Sequence, residues 1–512
     1  MLQKFRQLLG HTIIYGLGNY GIKLVGFLLI PLYTRYLKPA DYGIMAMVSM
    51  YTQVMFILMN LGQSTSLFRF YYEHDDQASR DRVIAASVWL VLLIALPLAT
   101  LPLFGSTLLA KHLLGNGSLW FLMCIGTGTV ICKVFLRMPF AVMRAEEESR
   151  RYASWSVARN AVSASLAVIF VVALHQGVSG IIFSQFLAEL IFCFLLARAT
   201  IRTLTSGFHW ADVKAQLMFG LPFVPAGVGS FVLDLADRWF IKHYASINEV
   251  GIYSLGYRFG EIVTFIISAI ALSWPQFLFA NRKEPNAPQL YSYATTYYLV
   301  TVLYVCLGLG VLAPEMLRVM ATPPYYPAAS VVLLISLSGL FDGLTYFVNV
   351  GVLFSKRSIW RMVSVVTAAV VNIALNFLLI PTYGMMGAAW ATAIAFAVQA
   401  AVTMTVSLRL YYVPYQYRRI AQLIVVAGVI YAASVYVSFD TLVTSIAFKS
   451  ALLLAYPLLL AVSGFFDATE VAQARAWLDR FANSGRFPVF ARPLLLLGTE
   501  RRRAKRNLHD AR

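Results

Sequence analysis

Long apolar stretches alternate with short polar connections along most of the chain. A helix that spans the hydrocarbon core of a membrane needs about 20 mostly apolar residues, and about fourteen stretches reach that length. They cover roughly residues 12–32, 42–65, 83–105, 119–140, 155–174, 178–198, 216–241, 250–280, 293–313, 328–354, 360–380, 386–408, 419–436 and 445–463. The pattern predicts an all-α polytopic membrane protein with about fourteen transmembrane helices.

Basic residues are concentrated in alternate connections. Arg69, Arg80 and Arg82 follow the second apolar stretch, and Arg282 with Lys283 follows the eighth, whereas the opposite connections carry few cations or none. In membrane proteins the cytoplasmic connections carry the excess of Lys and Arg. The alternation therefore predicts that both termini are cytoplasmic, in a multi-pass protein of the bacterial cytoplasmic (inner) membrane.

The composition agrees with this class. Of the 512 residues, 59% are hydrophobic and 12% are charged, whereas soluble domains carry about 25% charged residues. The formal net charge of +18 follows the alternation of the connections, so it reports topology and predicts no nucleic-acid partner. The internal connections are too short for a catalytic domain, and the four cysteines lack metal-ligand spacing. We expect a protein that is not an enzyme and that holds no metal or cofactor.

A duplicated unit sets the predicted architecture. The segment Asp41–Gly43 returns as Glu249–Gly251, and Gly177–Gly180 returns as Gly384–Gly387, at shifts of about 207 or 208 residues. Such a shift covers about six helices, an even number, so both copies have the same orientation in the bilayer. The predicted units are a first six-helix lobe (1–210), a second six-helix lobe (211–410), two additional transmembrane helices (411–464) and a cytoplasmic amphipathic and basic tail (465–512).

Charged side chains fall inside several of the apolar stretches. At a helix centre each one costs about 2.5–3.5 kcal/mol, so most of them must be paired or line a water-filled cavity. The candidates are the cations Lys23, Lys133, Arg159, Arg238 and Arg258 and the acids Glu189, Asp234, Asp237, Glu261 and Asp342.

Helical spacing offers some of these charges a local partner. Asp234 and Arg238 are four residues apart, and Arg258 and Glu261 are three apart, so each couple can pair on one helix face. Arg159 is close to a predicted cytoplasmic helix end and is expected to extend to the membrane surface.

Other charges have no local partner. Lys23, Glu189 and Asp342 lie near mid-span, which favours a functional role for each. Lys133 admits either interpretation.

The seventh apolar stretch is expected to be kinked or broken in its first half. Gly220, Pro222, Pro225 and Gly227 interrupt it there. Broken helices in transporters border a binding cavity or a moving element.

Several local motifs resemble one transporter family. They are Arg35–Leu37 with Asp41–Gly43, Arg69–Tyr71, Leu221-Pro222, Asp237-Arg238, Glu249–Ser254 and the segment from Asn376 through Pro381 to Ala389. Over about residues 5–465 the chain resembles the Wzx-type flippases of O-antigen or exopolysaccharide repeat units. These form the polysaccharide transporter branch of the MATE/MOP (multidrug/oligosaccharidyl-lipid/polysaccharide) exporter superfamily.

The resemblance implies a fold and a substrate. The fold is a V of two six-helix lobes that rock between inward-open and outward-open states. The substrate is an oligosaccharide repeat unit on undecaprenyl pyrophosphate, moved from the cytoplasmic to the periplasmic leaflet for lipopolysaccharide or exopolysaccharide synthesis. Membrane lipids are implied partners, with a polysaccharide polymerase and a chain-length regulator as further candidates.

The charged residues acquire candidate roles under this interpretation. Cations must replace the water around the pyrophosphate, and the substrate-binding candidates are Lys23, Arg69, Arg238 and Arg258. Acids could couple transport to a proton or sodium gradient, and the ion-coupling or cavity candidates are Asp234, Asp237, Glu189, Asp342 and Glu261. Because the charges within the predicted spans sum to zero, a cationic cavity requires the acids to be neutralised or to point elsewhere.

Three alternatives remain at this stage. A peptidoglycan lipid-precursor flippase shares the helix count and a cationic cleft. An ion-coupled multidrug exporter of the same superfamily is disfavoured by Lys23, because a pocket for organic cations needs an acid there. A membrane polymerase or ligase needs a large periplasmic loop, which the sequence lacks.

Overall fold

The computed structural model describes residues 26–472 except positions 356, 358, 438, 440, 468, 469 and 471. Every regular element in this part of the chain is a helix, which confirms the predicted all-α class. Twelve of the described helical segments are long and apolar enough to cross a membrane. Most of the first predicted span and most of the basic tail lie outside the described residues.

The helices are numbered here in chain order. The first half contains α1 (Ile30–Tyr36), α2 (Pro39–Asn60), α3 (Gln63–Tyr72), α4 (Gln77–Phe104), α5 (Ser106–Leu114), α6 (Trp120–Ala145), α7 (Ser149–Val168) and α8 (Gly177–Ile201). The second half contains α9 (Trp210–Gly220), α10 (Val224–Leu235), α11 (Asp237–Tyr244), α12 (Ile247–Gly260), α13 (Val263–Ala280), α14 (Ala287–Met320), α15 (Ala329–Val348), α16 (Val350–Ser355) and α17 (Ile359–Leu410). The last two helices are α18 (Tyr417–Tyr436) and α19 (Leu442–Val462).

Two features separate the twelve spans from the predicted fourteen. The first predicted span is mostly outside the described residues. Helix α17 joins the two predicted spans on either side of Gly384, where the backbone leaves helical geometry with a φ of 53°. A glycine permits that left-handed value because it has no Cβ.

The two halves cross where the sequence repeat is strongest. Helices α2 and α12 pack together at their N-terminal ends, and each has a glycine at the crossing. A Cβ on Gly43 would lie 2.0 Å from the carbonyl oxygen of Ile247, and one on Gly251 would lie 1.9 Å from that of Pro39. The backbones approach so closely that only glycine fits at either position. We call this contact the glycine crossing.

Further contacts join the halves at the same end, which the charge pattern predicts to be periplasmic. The Thr322 hydroxyl donates to the carbonyl oxygen of Thr34 at 2.9 Å, and the Tyr325 hydroxyl donates to that of Leu37 at 3.1 Å. One hydrophobic core runs through both halves. The lobes are therefore closed against each other at this end.

The seventh predicted span is broken, as its glycines and prolines predict. A short 3-10 turn, Leu221–Phe223, separates α9 from α10. Helix α9 packs on the first half, where the buried Gln216 donates to the carbonyl oxygen of Val83 at 2.8 Å and accepts from the Ser87 hydroxyl at 2.7 Å. Helix α10 packs on α17 of the second half. The break therefore lies where the chain passes from one half to the other.

Candidate functional site

Three cations on α6 form a stripe. Lys133, Arg137 and Arg144 are four and seven residues apart, which places them on one helix face. They line a cavity of about 340 Å³ with Arg159 of α7 and Glu189 of α8. Four cations face a single carboxylate there, so the cavity is suited to an anion. We call it the cationic cavity.

Aromatic rings support three of these guanidinium groups. The guanidinium carbon lies 5.1 Å from the ring centre of Phe56 for Arg137, 5.3 Å from that of Phe140 for Arg159, and 4.8 Å from that of Phe68 for Arg144. Stacking of this kind orients the planar group and leaves its N–H donors for another ligand.

Glu189 is the only carboxylate among the described residues that line the cationic cavity, and it is weakly paired. Glu189 lies 3.4 Å from Arg159, and the Glu189 side chain is 11% exposed. Arg144 has a buried Nε without a hydrogen-bond partner in the described part of the chain. The donors of the cavity therefore exceed the acceptors that the surrounding protein supplies.

A second cavity of about 270 Å³ adjoins the first and shares Lys133, Arg159 and Glu189 with it. Arg258 of α12 reaches this second cavity from the other half of the protein. Its remaining polar lining is largely uncharged and includes Asn160 of α7 and Ser163, Ser184 and Gln185. We call it the polar cavity.

The second half has a cavity of opposite charge. It has a volume of about 730 Å³, and Asp234 of α10 and Asp342 of α15 both line it. Among the described residues, Arg361 is the only cation that lines it. Acids outnumber cations in this cavity, and cations outnumber acids in the cationic cavity, so span charges that sum to zero still leave a cationic cavity in the first half.

The structure places the predicted substrate-binding residues in different surroundings. Arg258 lines the polar cavity beside Lys133 and Arg159. Arg69 is an exposed residue of α3 that pairs with Glu73 at 3.1 Å. Lys23 lies outside the described residues.

Arg238 and Asp237 form a buried pair. An Arg238 nitrogen lies 2.8 Å from an Asp237 carboxylate oxygen, and their side chains are 6% and 1% exposed. The Tyr253 hydroxyl also donates to Asp237. Arg238 contacts Asp234 through the backbone carbonyl and not through the carboxylate. The expected side-chain pair of Asp234 and Arg238 therefore does not form. The Asp234 carboxylate instead faces the cavity that it shares with Asp342.

The other predicted couple also stays apart. Arg258 and Glu261 line one small cavity together, but the described ion pairs do not include them. Arg258 lies 5.3 Å from the ring centre of Tyr42.

Two cations of the cationic cavity, Arg137 and Arg144, were not predicted as site residues. Arg137 lies within the predicted span 119–140, and Arg144 lies in the connection that follows this span. Arg159, expected to reach the membrane surface, instead lines both cavities. The signal that finds them is helical periodicity: polar residues of α6 and of α7 recur every three or four positions along one face.

Comparison with known proteins identifies a matching family and a similar transport protein. Residues 8–277 match the model of a family described as polysaccharide biosynthesis protein. The succinoglycan biosynthesis transport protein ExoT of Rhizobium meliloti is 23% identical over 318 residues, which are 60% of this chain and 61% of that protein. The chain thus matches about three fifths of the length of this relative.

Two solved structures share the fold. The lipid II flippase MurJ in an inward closed conformation gives a TM-score of 0.69 at 14% identity, covering 89% of this chain and 100% of that chain. An inward-facing multidrug resistance MATE family transporter of the MOP superfamily gives 0.64 at 16% identity, covering 76% and 94%. At these identities the likeness concerns the fold alone.

The long apolar helices define a multi-pass membrane protein, and its fold is like that of these two transporters. Because the family model covers just over half of its residues, the chain belongs to the polysaccharide biosynthesis protein family. This membership confirms the family resemblance of the sequence motifs.

Proposed function

We propose that the protein flips undecaprenyl-pyrophosphate-linked oligosaccharide repeat units from the cytoplasmic to the periplasmic leaflet of the bacterial inner membrane. The observation that carries the proposal is the cationic cavity, where four cations face one carboxylate inside a membrane domain. A pyrophosphate that links a lipid to a sugar needs several such donors. The transport role of ExoT in succinoglycan synthesis supports the saccharide part of the substrate.

A cavity of this kind lowers the free energy of a pyrophosphate inside the membrane. The hydrocarbon core is about 30 Å thick, and an unpaired charge inside it is costly. Guanidinium groups bind phosphate oxygens through paired N–H donors and so replace the lost water. Arg137 and Arg144, held by aromatic rings, are the first candidates for this role, with Lys133 and Arg159 at the inner end.

The contacts between the lobes support an inward-facing state for this arrangement. The glycine crossing closes the predicted periplasmic end, while the cationic cavity extends along α6 towards its opposite end at Ala145. Substrate would enter this state from the cytoplasmic side. Release to the periplasm requires the crossing to separate, so transport follows alternating access.

Asp234 and Asp342 are the candidates for coupling transport to an ion gradient. They share one cavity, lack a described ion pair, and face only one cationic lining residue. Either a proton or a sodium ion would lower the cost of placing two carboxylates together. Asp237 is a weaker candidate because Arg238 and Tyr253 already satisfy it.

The surface polysaccharide of a host strain provides the test. In a strain that depends on this protein, Arg137→Gln and Arg144→Gln should each reduce polysaccharide strongly at normal protein levels. Loss of one charge-assisted hydrogen bond costs about 1.5–3 kcal/mol, or roughly 10- to 150-fold in binding. The control is Arg151→Gln, an exposed cation on the same membrane face that pairs with Glu148.

The readout also separates the alternatives. Accumulation of lipid-linked repeat units on the cytoplasmic side would support a flippase that hands its product to a polymerase and chain-length regulator. Normal polysaccharide in both cavity variants would overturn the pyrophosphate site. Rescue of peptidoglycan synthesis in a host lacking its own lipid II flippase would favour the peptidoglycan precursor as substrate.

A further inference from the structure

The cationic cavity and the polar cavity lie in line. Along α6 the cations run from Lys133 to Arg144, a distance of about 16 Å at 1.5 Å per residue. The lining of the polar cavity begins at Arg159 and continues along α7, away from Arg144, through Ser163 to Ala167. Lys133, Arg159 and Glu189 stand at the boundary. The polar cavity is therefore the inner one, closer to the end sealed by the glycine crossing.

Uncharged polar side chains on two facing helices line the polar cavity. Asn160 and Ser163 are three residues apart on α7, and Gln185 is an exposed amide within the strongly apolar helix α8. An exposed amide at membrane depth is tolerated where it faces a wet cavity rather than lipid. These side chains therefore point at a polar ligand or at water.

Their hydrogen-bonding capacity is largely unused. Within the described part of the chain, Gln185 and Ser163 have no hydrogen-bond partner. Asn160 donates to the carbonyl oxygen of Ser156 at 2.5 Å, which leaves its own amide oxygen free to accept. Together they offer both donors and acceptors without net charge. A group rich in hydroxyls or amides satisfies this uncharged set, which lies beside the Arg258 guanidinium in the same cavity.

We propose that the polar cavity is a saccharide subsite that receives the first sugar of the substrate while the pyrophosphate lies in the cationic cavity. This assignment rests on the proposed function. The order lipid, pyrophosphate, sugar then follows the order membrane surface, cationic cavity, polar cavity. One helical turn, about 6 Å, separates Arg159 from Ser163, a span comparable with one pyranose ring.

Both helices that line the subsite combine apolar and polar side chains. Ala164, Ala167 and Ile181 supply small apolar surface for the C–H face of a sugar, beside the amides of Gln185 and Asn160. The carboxylate of Glu189 can accept from a hydroxyl at the boundary. Sites built to hydrogen-bond a substrate hydroxyl discriminate strongly against analogues that lack it. The polar cavity is therefore the element that distinguishes a glycosylated lipid from a bare one.

Binding to two short-chain analogues tests the assignment. Purified protein is titrated with a farnesyl diphosphate and with the same diphosphate bearing one N-acetylglucosamine. Wild type should bind the glycosylated analogue at least tenfold more tightly. Gln185→Leu should weaken that analogue roughly 3- to 10-fold, as for one neutral hydrogen bond, without changing the affinity for the bare diphosphate.

Three further variants serve as comparisons for Gln185→Leu. Ser163→Ala removes a single hydroxyl with little risk to folding and should reproduce a smaller selective loss. Gln422→Leu, a glutamine of α18 outside both cavities, should change neither affinity. Arg137→Gln should weaken both analogues together.

The outcomes separate the subsite from the proposed function. Equal wild-type affinities for the two analogues, or equal losses for both in Gln185→Leu and Ser163→Ala, would overturn the saccharide subsite while leaving the pyrophosphate site intact. Failure of wild type to bind either analogue, or an Arg137→Gln variant that binds both normally, would overturn the proposed function itself.

Discussion

Replacing Gly251 with alanine should shift the protein away from the state seen here. The new Cβ would lie 1.9 Å from the carbonyl oxygen of Pro39, 2.8 Å from its carbon and 2.9 Å from the nitrogen of Gly43. All three are backbone atoms, so no side chain can rotate to relieve the clash. Non-bonded heavy atoms prefer roughly 3.5–4.0 Å, and α2 and α12 must therefore separate by more than 1 Å.

The size of the effect follows from that clash. Overpacking costs about 1–3 kcal/mol, and each 1.4 kcal/mol changes an equilibrium tenfold. If the crossing exists only in the closed state, the closed population relative to the outward-open one should fall about 5- to 150-fold. Gly43→Ala should behave alike, because its Cβ would lie 2.0 Å from the carbonyl oxygen of Ile247.

Disulfide cross-linking measures this shift. With the four native cysteines replaced, cysteines at positions 34 and 322 should cross-link readily, since the side chain of Thr322 reaches the backbone of Thr34 at 2.9 Å. The yield should drop in Gly251→Ala. Gly428→Ala on α18 is the control, because its Cβ would meet no atom within 4 Å. Unchanged cross-linking in both crossing variants, with normal transport, would refute the reasoning.

Three further predictions concern charged groups. Glu189→Gln should tighten binding of a prenyl diphosphate, because the cavity gains net positive charge, and should slow turnover; weaker binding would contradict this. Asp234→Asn and Asp342→Asn should remove the dependence of transport on a proton or sodium gradient, measured in proteoliposomes, while diphosphate binding stays normal. Lys449→Met leaves Glu315, 2.6 Å away and 3% exposed, as an unpaired buried charge. The loss of stability should be about 3–5 kcal/mol in thermal unfolding, and a Glu315→Met second change should restore most of it.

The helices and their breaks were predictable because they depend on local chemistry. Hydrophobic length marks the spans, and the residues from Gly220 to Gly227 predict the break between α9 and α10 that the structure contains. The repeat also locates the positions where the lobes meet, since Gly43 and Gly251 are equivalent in it. These signals need only a few neighbouring residues or one internal alignment.

The partners of the charges were harder to predict because they depend on which helix faces meet. Arg238 pairs with its neighbour Asp237 and leaves the Asp234 carboxylate free, although the four-residue spacing favours the opposite choice. The uneven distribution of acids and cations between the cavities is likewise a tertiary property. The spacing along α6 is enough to predict that Arg137 and Arg144 share a face with Lys133. It does not predict that Arg159 of α7 lines the same cavity.

The contacts at the glycine crossing have a consequence for the origin of the chain. Gly43 approaches Ile247, and Gly251 approaches Pro39; a shift of 208 residues converts each contact into the other. Reciprocal contacts of this kind are the mark of an isologous interface, in which one surface meets a copy of itself. A single ancestral unit with this glycine would therefore have met its own twin in the same way. The contact that closes the lobes is therefore symmetric in the repeat, whereas the charges of the cavities are not.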